Sequence, residues 1–248
     1  MRKEEYNRLF QVEDRHWWYR GTRRFFLDLL AAYCPGEASG RVLDAGCGTG
    51  GFLAQLRERF RPREAVGLDL CPEALEMAGR RGLESLCLAS LEDIPFPDGH
   101  FTLVTCLDVL YHREVRDESR AIGELWRVLE PGGFLLLNLP AFGILRGSHD
   151  RAVHGIRRYR KGKLLPWLEA SGFRVVRATY FNSLLFPALV AYRLASRILP
   201  SPSSDLWTPP TFLNRWLEAL LVIEGRVALQ RDLPWGSSLA VLARREGW

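Results

Sequence analysis

Val42-Leu43-Asp44-Ala45-Gly46-Cys47-Gly48-Thr49-Gly50-Gly51 reads as a buried strand that runs into a glycine-dense turn and then into the first residues of a helix. Glycine permits positive φ and lets a ligand lie against the main chain, because no Cβ stands in the way. A helix starting near Gly50 aims its unpaired N–H groups into the same crevice. The turn therefore reads as a cradle for a nucleotide-type ligand. The plainer alternative is a tight strand-to-helix connection in which Asp44 caps something local.

The spacing is G-x-G-x-G, not the G-x-G-x-x-G of a dinucleotide site. Asp44 stands where a carboxylate would face the ligand. It would repel a pyrophosphate but suits a ligand carrying an ammonium group. S-adenosylmethionine (SAM) offers an amino group, a positive sulfonium and adenosine. Glu64-Ala65-Val66-Gly67-Leu68-Asp69-Leu70 then reads as a second strand ending in Asp69, at the roughly 20-residue distance expected of a ribose-binding acid. An exposed strand-end carboxylate is the competing reading of Asp69.

Outward from this unit, residues 2–33 read as two helices, the second with Phe25, Phe26, Leu29 and Leu30 at helical spacing. Strand and helix patterns alternate from Arg41 to Asn138, which predicts a parallel, doubly wound sheet. The apolar runs 84–88, 101–107 and 133–139 suit interior strands covered on both faces. Pro131-Gly132-Gly133 predicts a helix stop and a turn. A basic, histidine-containing insertion follows at 140–162, then a helix over 163–171, a sixth strand from Phe173 to Tyr180 and a seventh from Ser237 to Arg244. Between those strands, Ser183 to Leu199 reads as an apolar helix whose charges are Arg193 and Arg197, and Thr211 to about Arg231 as another. The expected division is one domain: a helical cap (1–36), a ligand-binding core (37–180), a helical insertion (181–236) and a final strand (237–248).

With these motifs in view, the chain resembles the class I SAM-dependent methyltransferases, in particular a bacterial type 11/12-like subgroup. Val42 to Gly51 matches the family's first motif and Gly67 to Leu70 its second. Ala89 to Phe101 resembles the adenine-side loop, and Arg127 to Leu137 the helix–turn–strand that completes the core. The resemblance implies an α/β, Rossmann-like, seven-stranded and mostly parallel sheet whose last strand is antiparallel. It also implies SAM as methyl donor. Carried over residue by residue, the donor site would comprise Asp44, Gly46, Cys47, Gly48, Asp69, Leu70, Ser90, Leu91 and Leu107, with Tyr19 from a helix that folds over the cofactor. Ser90 stands where the family usually has aspartate. Thr102 replaces a second aspartate at a position taken as structural. Tyr111 replaces a glutamate before the strand-four histidine. The subgroup likeness extends to Glu13 through Arg20 with Arg23-Arg24, to His149-Asp150, His154 and Arg157-Arg158-Tyr159, and to Tyr180-Phe181-Asn182 with Leu185-Phe186-Pro187. Enzymes of this kind occur beside cell-surface glycan, lipid and secondary-metabolite pathways.

Methyl transfer from a sulfonium needs chiefly alignment and exclusion of water; a hydroxyl acceptor adds the need for a base, and histidine titrates in the right range. His112, His149 and His154 are the candidates. The alternative for His112 is a capping or packing role, and for the other two a hydrogen bond fixing the loop. Arg157, Arg158 and Tyr159, with Tyr111, could hold an anionic acceptor or pair with acids of the insertion. No metal is expected, since no carboxylate cluster beyond Asp150 accompanies the histidines.

The 248 residues carry a net charge of +5, with 47% hydrophobic and 25% charged residues, which suits a globular protein with acidic partners. No interleaved stacking aromatics accompany the basic run at 157–163, so nucleic acid is not expected. The five scattered cysteines argue for a reducing compartment, the charged N-terminus is unlike a signal peptide, and no apolar run approaches the ~20 residues of a membrane span. A cytoplasmic location is expected, with the Ser183–Leu199 helix an ordinary core helix, an acceptor-pocket wall, a dimer surface or a peripheral membrane contact. The expected function is SAM-dependent methyl transfer to a small-molecule or lipid- or glycan-linked acceptor, at oxygen first and at nitrogen or carbon of a secondary metabolite as the alternative. An NAD(P)-dependent oxidoreductase or a non-catalytic scaffold of the same fold are the readings outside that class.

Overall fold

The computed structural model describes residues 3–147, 150, 154–196 and 209–247. Its elements run α1 (Lys3–Val12), α2 (Trp17–Tyr33), α3 (Pro35–Ala38), β1 (Arg41–Ala45), α4 (Gly51–Phe60), β2 (Glu64–Asp69), α5 (Pro72–Arg80) and β3 (Leu86–Leu88). They continue with β4 (Phe101–Leu107), α6 (Glu118–Val128), β5 (Leu129–Pro140), α7 (Lys161–Ala170), β6 (Phe173–Phe181), α8 (Phe186–Ala195), α9 (Thr211–Gln230) and β7 (Ser238–Arg245).

The seven strands form one sheet in the order β3-β2-β1-β4-β5-β7-β6. Neighbours from β3 to β5 pair in parallel, and β7 runs antiparallel between β5 and β6. This is the Rossmann-like methyltransferase architecture. Leu43, Val104, Leu135, Leu137 and Val241 point into one core with Ile122 and Leu125 of α6 and Leu164 and Leu168 of α7. Val42, Leu103, Leu136 and Leu242 point to the opposite face, against Phe26 and Leu30 of α2 and Phe52 and Leu56 of α4. Adjacent strand residues thus serve opposite layers, which is why these segments are apolar throughout. Thr102 is structural: its hydroxyl lies 2.6 Å from the Glu37 carbonyl oxygen and 3.0 Å from that of Arg41.

Three expectations need correction. The run 84–88 is not interior: β3 lies at the sheet edge, pairs with β2 alone, and leaves Leu88 exposed. A short apolar run looks the same in either place. Pro131-Gly132-Gly133 does not separate helix from strand. Val128 passes directly into β5, and the triplet forms a bulge between the pairs Phe101–Leu129 and Leu103–Phe134. The Ser183–Leu199 segment is not a core helix, since α8 contains no buried residue; positions 197–199 lie outside the described residues.

On the α2 face, α9 packs alongside α2 with the same polarity. Asn214 accepts from the Trp17 N–H at 2.9 Å, Arg20 donates to Glu218 at 2.8 Å, and Tyr33 donates to the Leu229 carbonyl at 3.0 Å. A Cβ on Gly21 would stand 2.8 Å from Leu221, so only glycine allows this approach.

Candidate active site

Ligands of open α/β sheets lie beyond the carboxyl ends of the strands. Here that edge opens into a cavity of about 740 Å³. At its donor end the glycine turn is fastened to β2, with Gly46 and Cys47 N–H donating to the Leu68 carbonyl at 2.6 and 2.9 Å. Gly46 has φ +88 and a Cβ there would meet Val109 at 2.2 Å, so this position admits no side chain. Asp69, at the end of β2, accepts from Gly48 N–H at 2.8 Å and from Cys71 N–H at 2.9 Å. Each carboxylate oxygen can accept more than one bond, which leaves a pair of acceptor positions for two adjacent hydroxyls. Burial raises the Asp69 pKa against the lowering effect of those backbone donors.

Asp44, at the end of β1, is buried and accepts from the Thr105 hydroxyl at 2.7 Å. Burial pushes its pKa up to about 7; the Thr105 bond opposes the rise, Asp69 adds to it and Arg23 opposes it. Two carboxylates held above their ordinary range, at the ends of adjacent strands, make a site that gains from a cation. Leu70, Ser90 and Leu91 continue the wall from β2 and β3. The Ser90 hydroxyl oxygen accepts from Glu92 N–H at 3.1 Å and keeps its own proton to donate.

The cap contributes what sequence reasoning left without a role. Buried Glu13 accepts from Arg23, from the Thr49 hydroxyl and, at 2.7 Å, from Arg81. Arg23 also donates to Asp14 at 3.0 Å, and Arg81 to Asp14 at 2.7 Å and to the Thr49 carbonyl at 2.9 Å. A Cβ on Gly51 would sit 2.0 Å from the Arg23 guanidinium, so the last glycine of the motif is there to admit this network. Burial lowers the Arg23 pKa to about 9, with Arg81 contributing. The donor end is thereby flanked by two carboxylates and one buried guanidinium, a match for an amino acid's ammonium and carboxylate together.

The far end is built by the segment after β4 and by β5, β6 and β7. Leu107, Tyr111 and His112 line it, with the Tyr111 and His112 rings 4.3 Å apart between centroids. Asp108 has φ +58, and both its oxygens accept from the Asn138 amide at 3.0 Å. Burial raises its pKa to about 6, with the Asn138 bonds and Arg158 opposing. Tyr19 from α2 reaches the same wall; burial raises both the Tyr19 and Tyr111 phenols, and Asp108 adds to each shift. Asn182, at the end of β6, has φ +61 and donates to Ser237 at 2.9 Å, while its buried side-chain oxygen has no partner.

Several expected acceptor contacts are absent from the cavity wall. Arg157 turns away, donating to the carbonyls of His112 and Val115 at 2.9 Å and pairing with Glu118 at 2.8 Å. Tyr159 donates to the same Glu118 and to the Leu110 carbonyl at 3.3 Å. Both residues shape the loop after β4 and do not line this cavity. His154 is bonded to Glu114 at 2.9 Å and does not line the cavity, whereas Glu114 does. Arg158 does line it, but its donors are engaged by Asp150 at 2.8 and 2.9 Å and by the Ala141 carbonyl at 2.8 Å. His149 lies outside the described residues. Among the described residues no group of three or more His, Cys, Asp or Glu side chains could hold a metal. The strand-end rule places the 108–112 segment at this crevice and Asn182 belongs to the Tyr180–Asn182 likeness, whereas Ser238 carries no such signal, because the antiparallel β7 brings its amino end to this edge.

A family model described as a methyltransferase domain matches residues 43–137. A demethylmenaquinone methyltransferase of Deinococcus radiodurans is 37% identical over 123 residues, covering 48% of this chain and 48% of that protein. A malonyl-[acyl-carrier protein] O-methyltransferase of Serratia marcescens is 32% identical over 212 residues, covering 81% of this chain and 74% of its own. The chain belongs to the class I SAM-dependent methyltransferases. A crystal structure of a SAM-dependent methyltransferase from Thermotoga maritima shares the fold, with a TM-score of 0.60 at 19% identity over 98% of this chain and 95% of that one. The matched stretch spans about half the length of the Deinococcus relative. Family membership replaces the nicotinamide reading.

The donor end fits SAM on its own terms, since paired carboxylates held above their usual range call for a ligand cation. A pH dependence follows. With Asp44 at SAM's ammonium, as proposed below, binding would favour its ionised form, and burial pushes its pKa up to about 7 in the free protein. Between about pH 7 and about pH 6 SAM affinity should fall about fivefold as the proton competes, with Asp44→Asn binding weakly and without this slope. Calorimetric titration at both pH values reads the difference directly; a flat wild-type profile would mean that Asp44 does not meet the ammonium.

Proposed function

We propose that this protein transfers a methyl group from SAM to an oxygen of a small-molecule or lipid- or glycan-linked acceptor, as a single methyltransferase domain. The observation that carries the reading is one cavity with carboxylates suited to a cationic donor at one end and His112, Tyr111 and Asn182 at the other. SAM, when bound, supplies an electrophilic methyl group on a sulfonium. Asp69 would hold the ribose hydroxyls, Asp44 the ammonium, Arg23 the carboxylate, and Ser90 the adenine edge. Gly46 and Gly48 bring the main chain against the ligand, and Leu70, Leu91 and Leu107 wall it. The cap helices exclude water. Protonated Tyr19 and Tyr111 orient the acceptor, and His112 accepts the hydroxyl proton.

Oxygen is preferred because the reading includes a histidine base, which an already nucleophilic amine does not need. Calorimetry with SAM and S-adenosylhomocysteine is the first test, and no affinity for either would overturn the reading. A complex with S-adenosylhomocysteine would then show which side chains border the open acceptor space. His112→Ala should lower kcat about 100-fold and leave SAM affinity unchanged. An unaltered kcat would place the base elsewhere.

A further inference from the structure

Helix α9 carries a stripe that the enzyme reading leaves unused. Phe212, Trp216, Ile223 and Val227 are 76%, 57%, 55% and 43% exposed, and their spacings of four and seven residues put them on one side of a helix. The opposite side, with Leu221, Gly225 and Ala228, is buried and packs against α2. Arg215 and Arg226 are exposed and flank the stripe along one edge. The acidic residues of α9 are both elsewhere: Glu218 pairs with Arg20, and buried Glu224 accepts the N–H groups of Ser183 and Leu184 at 2.8 and 2.9 Å. Through Glu224, α9 anchors the chain just ahead of α8. Helix α8 in turn places Leu189 and Arg193 in the cavity wall and leaves Tyr192 and Leu194 exposed.

We propose that this face of α9 docks on an anionic lipid bilayer. The aromatic and aliphatic stripe enters the headgroup boundary, and Arg215 and Arg226 meet lipid phosphates, as cationic interfacial helices do. Among the described residues no helix is long and apolar enough to cross a membrane, so the contact lies on the surface. A second copy of the chain fits less well. A two-fold pairing through this stripe would bring arginines together with no carboxylate on the face to offset them. The proposal deepens the lipid-linked acceptor reading by naming where such an acceptor would be collected, next to the helix that reaches into the cavity. It rests on that reading for the substrate only, since docking requires no transfer.

The test is sedimentation of the full chain with vesicles of phosphatidylcholine alone and of phosphatidylcholine mixed equally with phosphatidylglycerol. Binding should appear with the anionic vesicles and weaken with added salt. Arg215→Gln with Arg226→Gln should lower partitioning about 30-fold, and Phe212→Ser with Trp216→Ser should abolish it. Melting temperature and SAM affinity should be unchanged in both double variants, because all four residues are exposed and none lines the cavity. No sedimentation, equal binding to both vesicle types, or a wild-type dimer that Trp216→Ser splits would each overturn the proposal. Loss of SAM affinity in the wild type would instead count against the methyltransferase reading and leave the docking result standing.

Discussion

Replacing Asp69 by alanine should raise the dissociation constant for SAM about 100-fold, the cost of removing two hydrogen bonds to a charged acceptor. The same carboxylate accepts from Gly48 and Cys71 N–H, so its loss also frees the glycine turn. Stability should respond differently from affinity. A carboxyl whose folded pKa is raised stabilises the fold below its unfolded pKa and loses that contribution as pH rises through the folded value. Asp69 is raised by burial, so near neutral pH its charge opposes folding of the ligand-free protein. Its removal relieves that opposition while leaving two N–H groups unpaired. The variant should therefore melt close to wild type and bind SAM poorly. Calorimetric titration with a thermal melt separates the two effects, and wild-type affinity would remove Asp69 from the donor site.

Glu13→Ala should have the largest effect on stability. It leaves Arg23 buried beside Arg81 with only Asp14 as partner. Stranding a buried charge costs about 3 kcal/mol, which for a chain of this size corresponds to a fall of about 6–12 °C in Tm. Glu13→Gln retains an acceptor for the Thr49 hydroxyl and should fall between the two. An unchanged melting temperature in the alanine variant would mean that the cap is held by apolar packing, with Phe25, Phe26 and Leu30 sufficient for it.

The sheet was legible because its signals are local. An apolar run, a glycine turn and an acid at the next strand end each fit within ten residues, and they single out Asp44 and Asp69, which line the cavity. The acceptor end depends on distant segments. Asn182 and Ser237 meet because β6 and β7 run in opposite directions, a fact of topology that neither residue advertises. The Arg157-Arg158-Tyr159 run admits two readings in sequence, an acceptor grip or pairing with acids, and the structure shows the pairing. In extended chain successive side chains point to opposite sides, so Arg158 faces the cavity while Arg157 and Tyr159 share Glu118 behind it. Charge drew attention to the run; alternation decided which member could reach a ligand. The α9 stripe was blurred in sequence because its exposed aromatics and its buried face are both apolar.

The parallel pairing of α2 with α9 joins residues 197 and 198 positions apart, Trp17 to Asn214 and Arg20 to Glu218. The cap over the cavity is thus made by α1 and α2 but braced by α9, far along the chain. During translation, the nascent chain would carry its glycine loop and both acids long before that brace emerged from the ribosome. Cofactor capture should therefore wait until α9 has been made.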